Sequence, residues 1–413
     1  MLGAQPKEVR LKRPLSPLDM VQMSKELFEK IYTDVDCHYL LHPWGKGCIT
    51  SLPVLFKDSL IGSVKFYSMV YLIQILMRGK KMRKKEQWLK MGNYYIRSIL
   101  FGQFVAGTAS IIGCIVRKLN GNKFKFNTFL FVPFTLNGLF IYLEPPSRRG
   151  LVINLFVNLY IEYWLRRLER AAYIKITKIR TTALFMLGSA LLFYLMRLEG
   201  DKKERTQLFW LFTPDKVRRK TDDSNNVCPH QGSCHKYIFK GTATYFALGL
   251  AFTVARLILP RIRSPMTAIA SLRTRHLKLA MFFGSYIGIY RAVICYLCRK
   301  RGCDSAIYAL PAGCLAGLSF IFSPSLGIAI GAMTGAMKLY STILYEKKLL
   351  PARLPLPELL YCICQGTLFS ARVFYPEECP SYIFNLLAKV SNNRSEWIYS
   401  NYKLLLDKAL EQS

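Results

Sequence analysis

The chain presents one ordered series of landmarks twice, and this restricts its architecture more than any single motif does. Residues 37–200 and 228–378 share them at nearly constant offsets. FGQFVAG at 101 answers FGSYIG at 283, Pro133 answers Pro311, and Gly138-Leu139 answers Gly317-Leu318. Pro146-Ser147 pairs with Pro324-Ser325, Gly150 with Gly327, Glu169 with Glu346 and Gly188 with Gly366. The period is far too long for a solenoid. It fits two homologous helical bundles, a plan common among transporters and channels.

Composition sets the solvent of those bundles. The chain is 52% hydrophobic yet carries 58 Lys and Arg against 25 Asp and Glu, a net charge of +33. Apolar stretches without a polar face recur near 59–77, 94–116, 127–143, 150–165 and 181–198, then 238–259, 277–298, 306–322, 325–345 and 357–374. Most match a hydrocarbon core of about 30 Å at about 1.5 Å per residue. The shorter ones can be re-entrant or interfacial, so the expectation is eight to ten spans in an all-α polytopic membrane protein of two repeats, each of four to five helices. Five per repeat, the preferred count, would invert the second repeat relative to the first. Loop charge cannot orient the chain, because almost every loop is basic, as at RGKKMRKK from 78, RRLER from 166 and RKR from 299.

The expected organisation is a polar N-terminal segment (1–36), a first membrane repeat with a Cys/His entry (37–200), a basic linker (201–227), a second repeat (228–378) and an amphipathic tail (379–413). The N-terminal segment lacks the apolar core of a signal peptide. Basic flanks snorkel to headgroups and attract anionic lipids such as cardiolipin or phosphoinositides. No nucleic-acid recognition motif accompanies them.

Cysteine and histidine gather at the two repeat entries: Cys37, His38, His42 and Cys48, then Cys228, His230, Cys234 and His235. Thiolate and neutral imidazole are the ligands zinc prefers, and four in one loop can close a tetrahedral structural site. Redox chemistry and plain loop packing are the competing readings. The match of position across the repeats favours a structural role.

Glycines at four-residue steps mark close helix approach: Gly284 and Gly288, Gly313 and Gly317, then Gly327, Gly331 and Gly335. In the first repeat the last ridge is replaced by Asn154 and Asn158, with Glu162 on the same face. Polar groups at membrane depth are costly unless paired, so Asn154, Asn158, Glu162 and Lys338 form a candidate polar stripe, with a Glu162–Lys338 pair the simplest way to satisfy both charges. The alternative is that both charges snorkel from helix ends. The turn EPPSRRG at 144–150 places Glu144 near Arg148 and Arg149, a tight turn that could also hold a phosphate or lipid headgroup.

The run IYLEPPSRRGLVINLFVNLYIEYWLRR, the entry CPHQGSCHKYIFKG and the helices FGSYIGIYRAVICYLCR and AGCLAGLSF resemble the transmembrane protein 135 family, also called peroxisomal membrane protein 52. The likeness covers about 37–390, and the cysteine-rich module of that family corresponds to residues 37–48 and the helix that follows. The glycine-rich helices of the second repeat are also similar to the mitochondrial inner-membrane import translocase superfamily. The resemblance implies a multi-pass protein of peroxisomal and mitochondrial membranes, linked to organelle organisation, mitochondrial fission and fusion and lipid homeostasis, with the dynamin-related fission machinery as a partner. It implies no enzymatic activity, and the chain shows no phosphate loop, nucleophile elbow, HExxH or paired catalytic carboxylates. Two function classes follow: an organiser acting through its basic surface, and a solute or lipid conduit whose path is the polar stripe.

Overall fold

A computed structural model describes residues 23–78, 85–198, 227–230, 232–258, 274–349 and 355–411. The first 22 residues and most of the linker (201–226) lie outside the described residues. Every regular element among the described residues is helical. The short helices α1 (Lys25–Tyr32) and α2 (Cys37–Leu40) lead into α3 (Leu52–Arg78) and α4 (Lys85–Leu119). Next come α5 (Phe131–Asn137) with a 3-10 extension (Gly138–Leu143), α6 (Pro146–Arg170) and α7 (Lys178–Leu198). The same order then returns as α8 (Cys234–Ile258), α9 (Lys278–Arg301), α10 (Ala309–Gly317) with its 3-10 extension (Leu318–Phe322), α11 (Leu326–Glu346) and α12 (Leu356–Phe374). Two further helices, α13 (Ser381–Val390) and α14 (Arg394–Glu411), close the chain.

Among the described residues, α4, α7, α9 and α11 are long and apolar enough to cross a membrane. The third apolar segment of each half is broken, with Phe131–Leu143 and Ala306–Phe322 falling short of a full span. At about 1.5 Å per α-helical and about 2.0 Å per 3-10 residue, the first covers roughly 22 Å of an approximately 30 Å core. Exposed apolar side chains such as Met69, Leu72, Phe239 and Met337 line outer helix faces, as lipid contact requires.

The described chain divides into two compact units, one of Met1–Ile153 with Pro357–Ser413 and the other of Asn154–Leu356. Compaction therefore does not follow chain order: the last helix of each half packs in the unit built mainly from the other half. In the second unit α7 lies on α10, because Gly313 and Gly317 present no side chain. A Cβ on Gly313 would meet Ala190 Cα at 2.8 Å, and one on Gly317 would meet Met186 Cα at 2.6 Å. Phe185 stacks on Phe320 with centroids 4.1 Å apart, Phe193 meets Tyr290 at 4.2 Å, and Ser189 and Tyr286 share a 2.5 Å hydrogen bond.

In the first unit α12 takes the corresponding place against α5. Gly138 abuts Cys362, Gln365 Nε2 donates to the Phe134 carbonyl at 3.1 Å, and Phe134 meets Phe369 edge-on. The tail is docked there instead of lying loose on a membrane surface. Tyr402 and Leu406 join Phe28, Tyr32, Phe129 and Phe374 in one core, Tyr32 stacks on Tyr402 at 4.7 Å, and Arg394 binds Asp58 at 2.5 Å. Amphipathicity fits either placement, and buried aromatic contacts decide for the core.

Candidate metal centres and the polar stripe

Each repeat entry folds back onto one long helix. In the first unit His42 and Cys48 flank a loop that caps the end of α4, where Ser110 donates to the Leu41 carbonyl at 2.7 Å and Gly113 makes room for Leu41. This brings together Cys37, His42, Cys48 and Cys114, whose ligand atoms all lie within 4.8 Å of one another. The second unit gathers Cys228, His230, Cys234 and Cys295 within the same limit. Both groups are Cys3His sets that could hold a metal ion.

Individual separations suit a tetrahedron. Cys37 Sγ and Cys48 Sγ are 3.5 Å apart, Cys228 Sγ and Cys234 Sγ 3.8 Å, and His230 Nε2 and Cys295 Sγ 3.3 Å. Ligands at about 2.3 Å (sulfur) and about 2.0 Å (nitrogen) from a shared zinc ion stand about 3.8 Å apart for two sulfurs and about 3.6 Å for sulfur and nitrogen. His42 is set in the tautomer such a site uses. Its Nδ1 lies 2.8 Å from the Gly45 carbonyl and 3.3 Å from Ser51 Oγ, while its buried Nε2 has no hydrogen-bond partner. A ring nitrogen held by a carbonyl leaves the other nitrogen's lone pair for a metal.

Burial raises the thiol pKa of Cys37, and the neighbouring Cys48 raises it further, while the Arg117 charge opposes both. Burial and Cys234 likewise push up Cys228, against Arg299. A metal with three thiolates carries one net negative charge, which these arginines would balance.

The ligand sets differ from the sequence expectation at two positions. His38 and His235 stand outside them, because each follows a ligand cysteine within a helix, α2 or α8, and a helical step of about 100° turns its side chain away. His38 instead lies against the Tyr39 ring at 3.8 Å. Cys114 and Cys295 take the vacated places. Their signal was present in the repeat itself: each lies seven residues after a matched glycine, Gly107 or Gly288.

The polar stripe is a packing seam. Thr334 donates to Asn158 Oδ1 at 2.5 Å, a Cβ on Gly331 would sit 3.6 Å from Asn158, and one on Gly327 would sit 3.2 Å from Glu162. Position rises along α6 as it falls along α11, so the matched helices cross antiparallel. The register sets Glu162 against Gly327 and away from Lys338, eleven residues further along. Glu162 is held by Arg166 one turn on, at 2.6 Å. Asn154 is buried, and its Nδ2 has no hydrogen-bond partner. Gly335 is buried on the same face of α11, and Gly284 and Gly288 seat α9 against Phe246 and Thr242 of α8.

At the EPPSRRG turn the three charged side chains point inward to separate partners, not to one another. Glu144 takes Ser98 Oγ at 2.9 and 2.8 Å, Arg148 donates to Tyr71, and Arg149 binds Glu358 at 3.3 Å and the Tyr142 carbonyl. Burial pushes the Glu144 carboxyl up to about 7, against the opposing effects of Ser98 and Arg97. Arg148 and Arg149 thus tie α6 to α3 and α12.

A sequence profile of the N-terminal cysteine-rich region of Transmembrane protein 135 matches residues 34–168, about a third of the chain. The match contains the whole first Cys3His set and the EPPSRRG turn. No solved structure matches the fold.

Proposed function

We propose, from its Transmembrane protein 135 cysteine-rich region, that this multi-pass membrane protein is a non-enzymatic organiser of peroxisomal and mitochondrial membranes. It acts on the fission and fusion balance of mitochondria, on peroxisome organisation and on lipid homeostasis. A duplicated, inverted bundle forms the body, and structural zinc in the entry loops fixes them to α4 and α9. Basic loops meet anionic lipid and the dynamin-related fission machinery; nucleic acid is not a partner. The observation that supports an organiser over a conduit is the state of the stripe: Asn158 and Glu162 are bound to Thr334 and Arg166 in a helix seam.

The test is complementation of cells lacking the protein, scored by mitochondrial length and peroxisome number. Reversing the exposed charges of Arg170, Lys175 and Lys178 should abolish rescue with expression and targeting intact, while Glu162→Gln should rescue fully. The opposite pattern would make the protein a conduit.

A further inference from the structure

We infer that the two Cys3His sets are zinc centres of unequal access: the first exchanges its metal with solution readily, and the second releases it more slowly. The inference rests on the structural-zinc part of the proposed function and adds to it the ligands and a division of roles.

The difference lies in what covers each set. In the first, Cys48 is exposed and Cys37 and Cys114 are only half-buried. A cavity of about 10 Å³, enough for one water, is lined by His42, Cys48 and Cys114. A water or small chelator reaching Cys48 Sγ can replace that ligand and begin stepwise removal, with each released thiolate taking a proton from solvent. Only His42 is well shielded, and its hydrogen bond to Gly45 holds it for rebinding.

In the second set Cys228 and His230 are half-buried, but Cys234 and Cys295 are both buried and none of the four is exposed. His230 lies beneath an aromatic lid, its ring stacked on Tyr237 at 4.2 Å and 17°. The lid is itself fastened. Arg291 sits over the Tyr237 ring at 4.1 Å and donates to the Tyr237 carbonyl at 2.6 Å, a close approach that Gly241 allows because a Cβ there would collide with the guanidinium. Ligand exchange can begin at Cys228, but freeing His230 and Cys295 requires the stacked ring, the cation and α9 to separate. Outer-shell groups of this kind shift metal retention by about 10–100-fold.

The experiment uses the full chain purified in detergent without chelator. Elemental analysis should find about two zinc ions per chain, one per tetrahedral set. A colorimetric zinc chelator should then remove about half rapidly and the rest on the order of tenfold more slowly. Cys48→Ser and Cys114→Ser should delete the fast phase alone, and Cys234→Ser and Cys295→Ser the slow phase alone. His38→Ala and His235→Ala should leave both. Should cysteine variants misfold, cobalt exchanged into wild-type protein gives the same reading: thiolate-to-cobalt bands should rise to half amplitude rapidly and to full amplitude on the order of tenfold more slowly. A single phase releasing both ions would overturn the unequal access and leave the zinc reading standing. Loss of either phase in His38→Ala or His235→Ala would overturn the ligand sets. Metal-free wild type would overturn the centres altogether, without bearing on the organelle assay.

Discussion

Where buried charges meet a specific partner, single residues carry large and opposite effects. Arg197 and Asp304 form an ion pair with side chains 2% and 6% exposed, and Cys298 Sγ also approaches Asp304. Removing one member strands the other, at a cost of about 3–5 kcal/mol, whereas replacing both by apolar groups is often neutral. Arg197→Met should therefore lower the detergent melting temperature more than the double variant Arg197→Met/Asp304→Leu, by thermal shift of the purified chain. Glu144 gives a pH signature. Its folded pKa, about 7, lies above the ordinary 4.5. Below about pH 4.5 both states are protonated; between there and about pH 7 only the unfolded state ionises, so stability falls as pH rises and levels off above. The span corresponds to at most about 3 kcal/mol. Glu144→Gln should flatten that slope and stabilise the chain at pH 8 relative to wild type, while an unchanged slope would place the titration elsewhere. Such partners were not legible in the sequence: Arg148 and Arg149 stand beside Glu144 in the chain, yet each bonds a residue distant in it, Tyr71 or Glu358.

Between helices, the seams are set by missing side chains. The glycine steps identified α9, α10 and α11 as packing helices from sequence alone, since small residues, glycine above all, let two backbones approach closely in lipid. What a step cannot name is the helix opposite. Gly313 and Gly317 receive α7, from the other half, and Gly366 of α12 receives Phe131 and Thr135 of α5. The third apolar segment was legible as apolar but not as broken, because nothing in its composition marks the change from α-helix to 3-10 at Gly138 or Leu318. Close packing turns into a sharp prediction. Gly317→Leu drives a side chain into Met186 Cα, where backbone and not a flexible tip must yield, so a loss of several kcal/mol, within the range for severe overpacking and strain, is expected. Gly92→Ala meets nothing within 4 Å and should gain roughly 0.5–1 kcal/mol from helix propensity. Opposite shifts of the two melting temperatures in one detergent check the seam; equal behaviour would show that α7 does not pack there.

Across the whole molecule, the exchange of last helices between units separates chain order from folding order. The repeated landmarks pair residues such as Pro133 with Pro311 and Gly138 with Gly317, but an internal repeat looks the same whether each half closes on itself or lends its final helix. The first unit draws its core from Phe28, Tyr32 and Phe129 of the first half and from Phe374, Tyr402 and Leu406 of the second. The second unit draws Phe185, Leu192 and Phe193 of α7 into a core of α9, α10 and α11 residues. Neither half can bury its aromatic face alone, and an exposed face of this size drives aggregation. Cutting the chain in the linker, between residues 213 and 214, should therefore leave two fragments that co-purify when expressed together and precipitate when expressed apart. Truncation after residue 350 should unfold the first unit selectively: half-buried Cys114 would become fully reactive towards a maleimide while buried Cys234 and Cys295 stay protected. Fragments that fold separately, each with its own protected cysteines, would mean that each half closes on itself and that the lent helices are not what holds the units together.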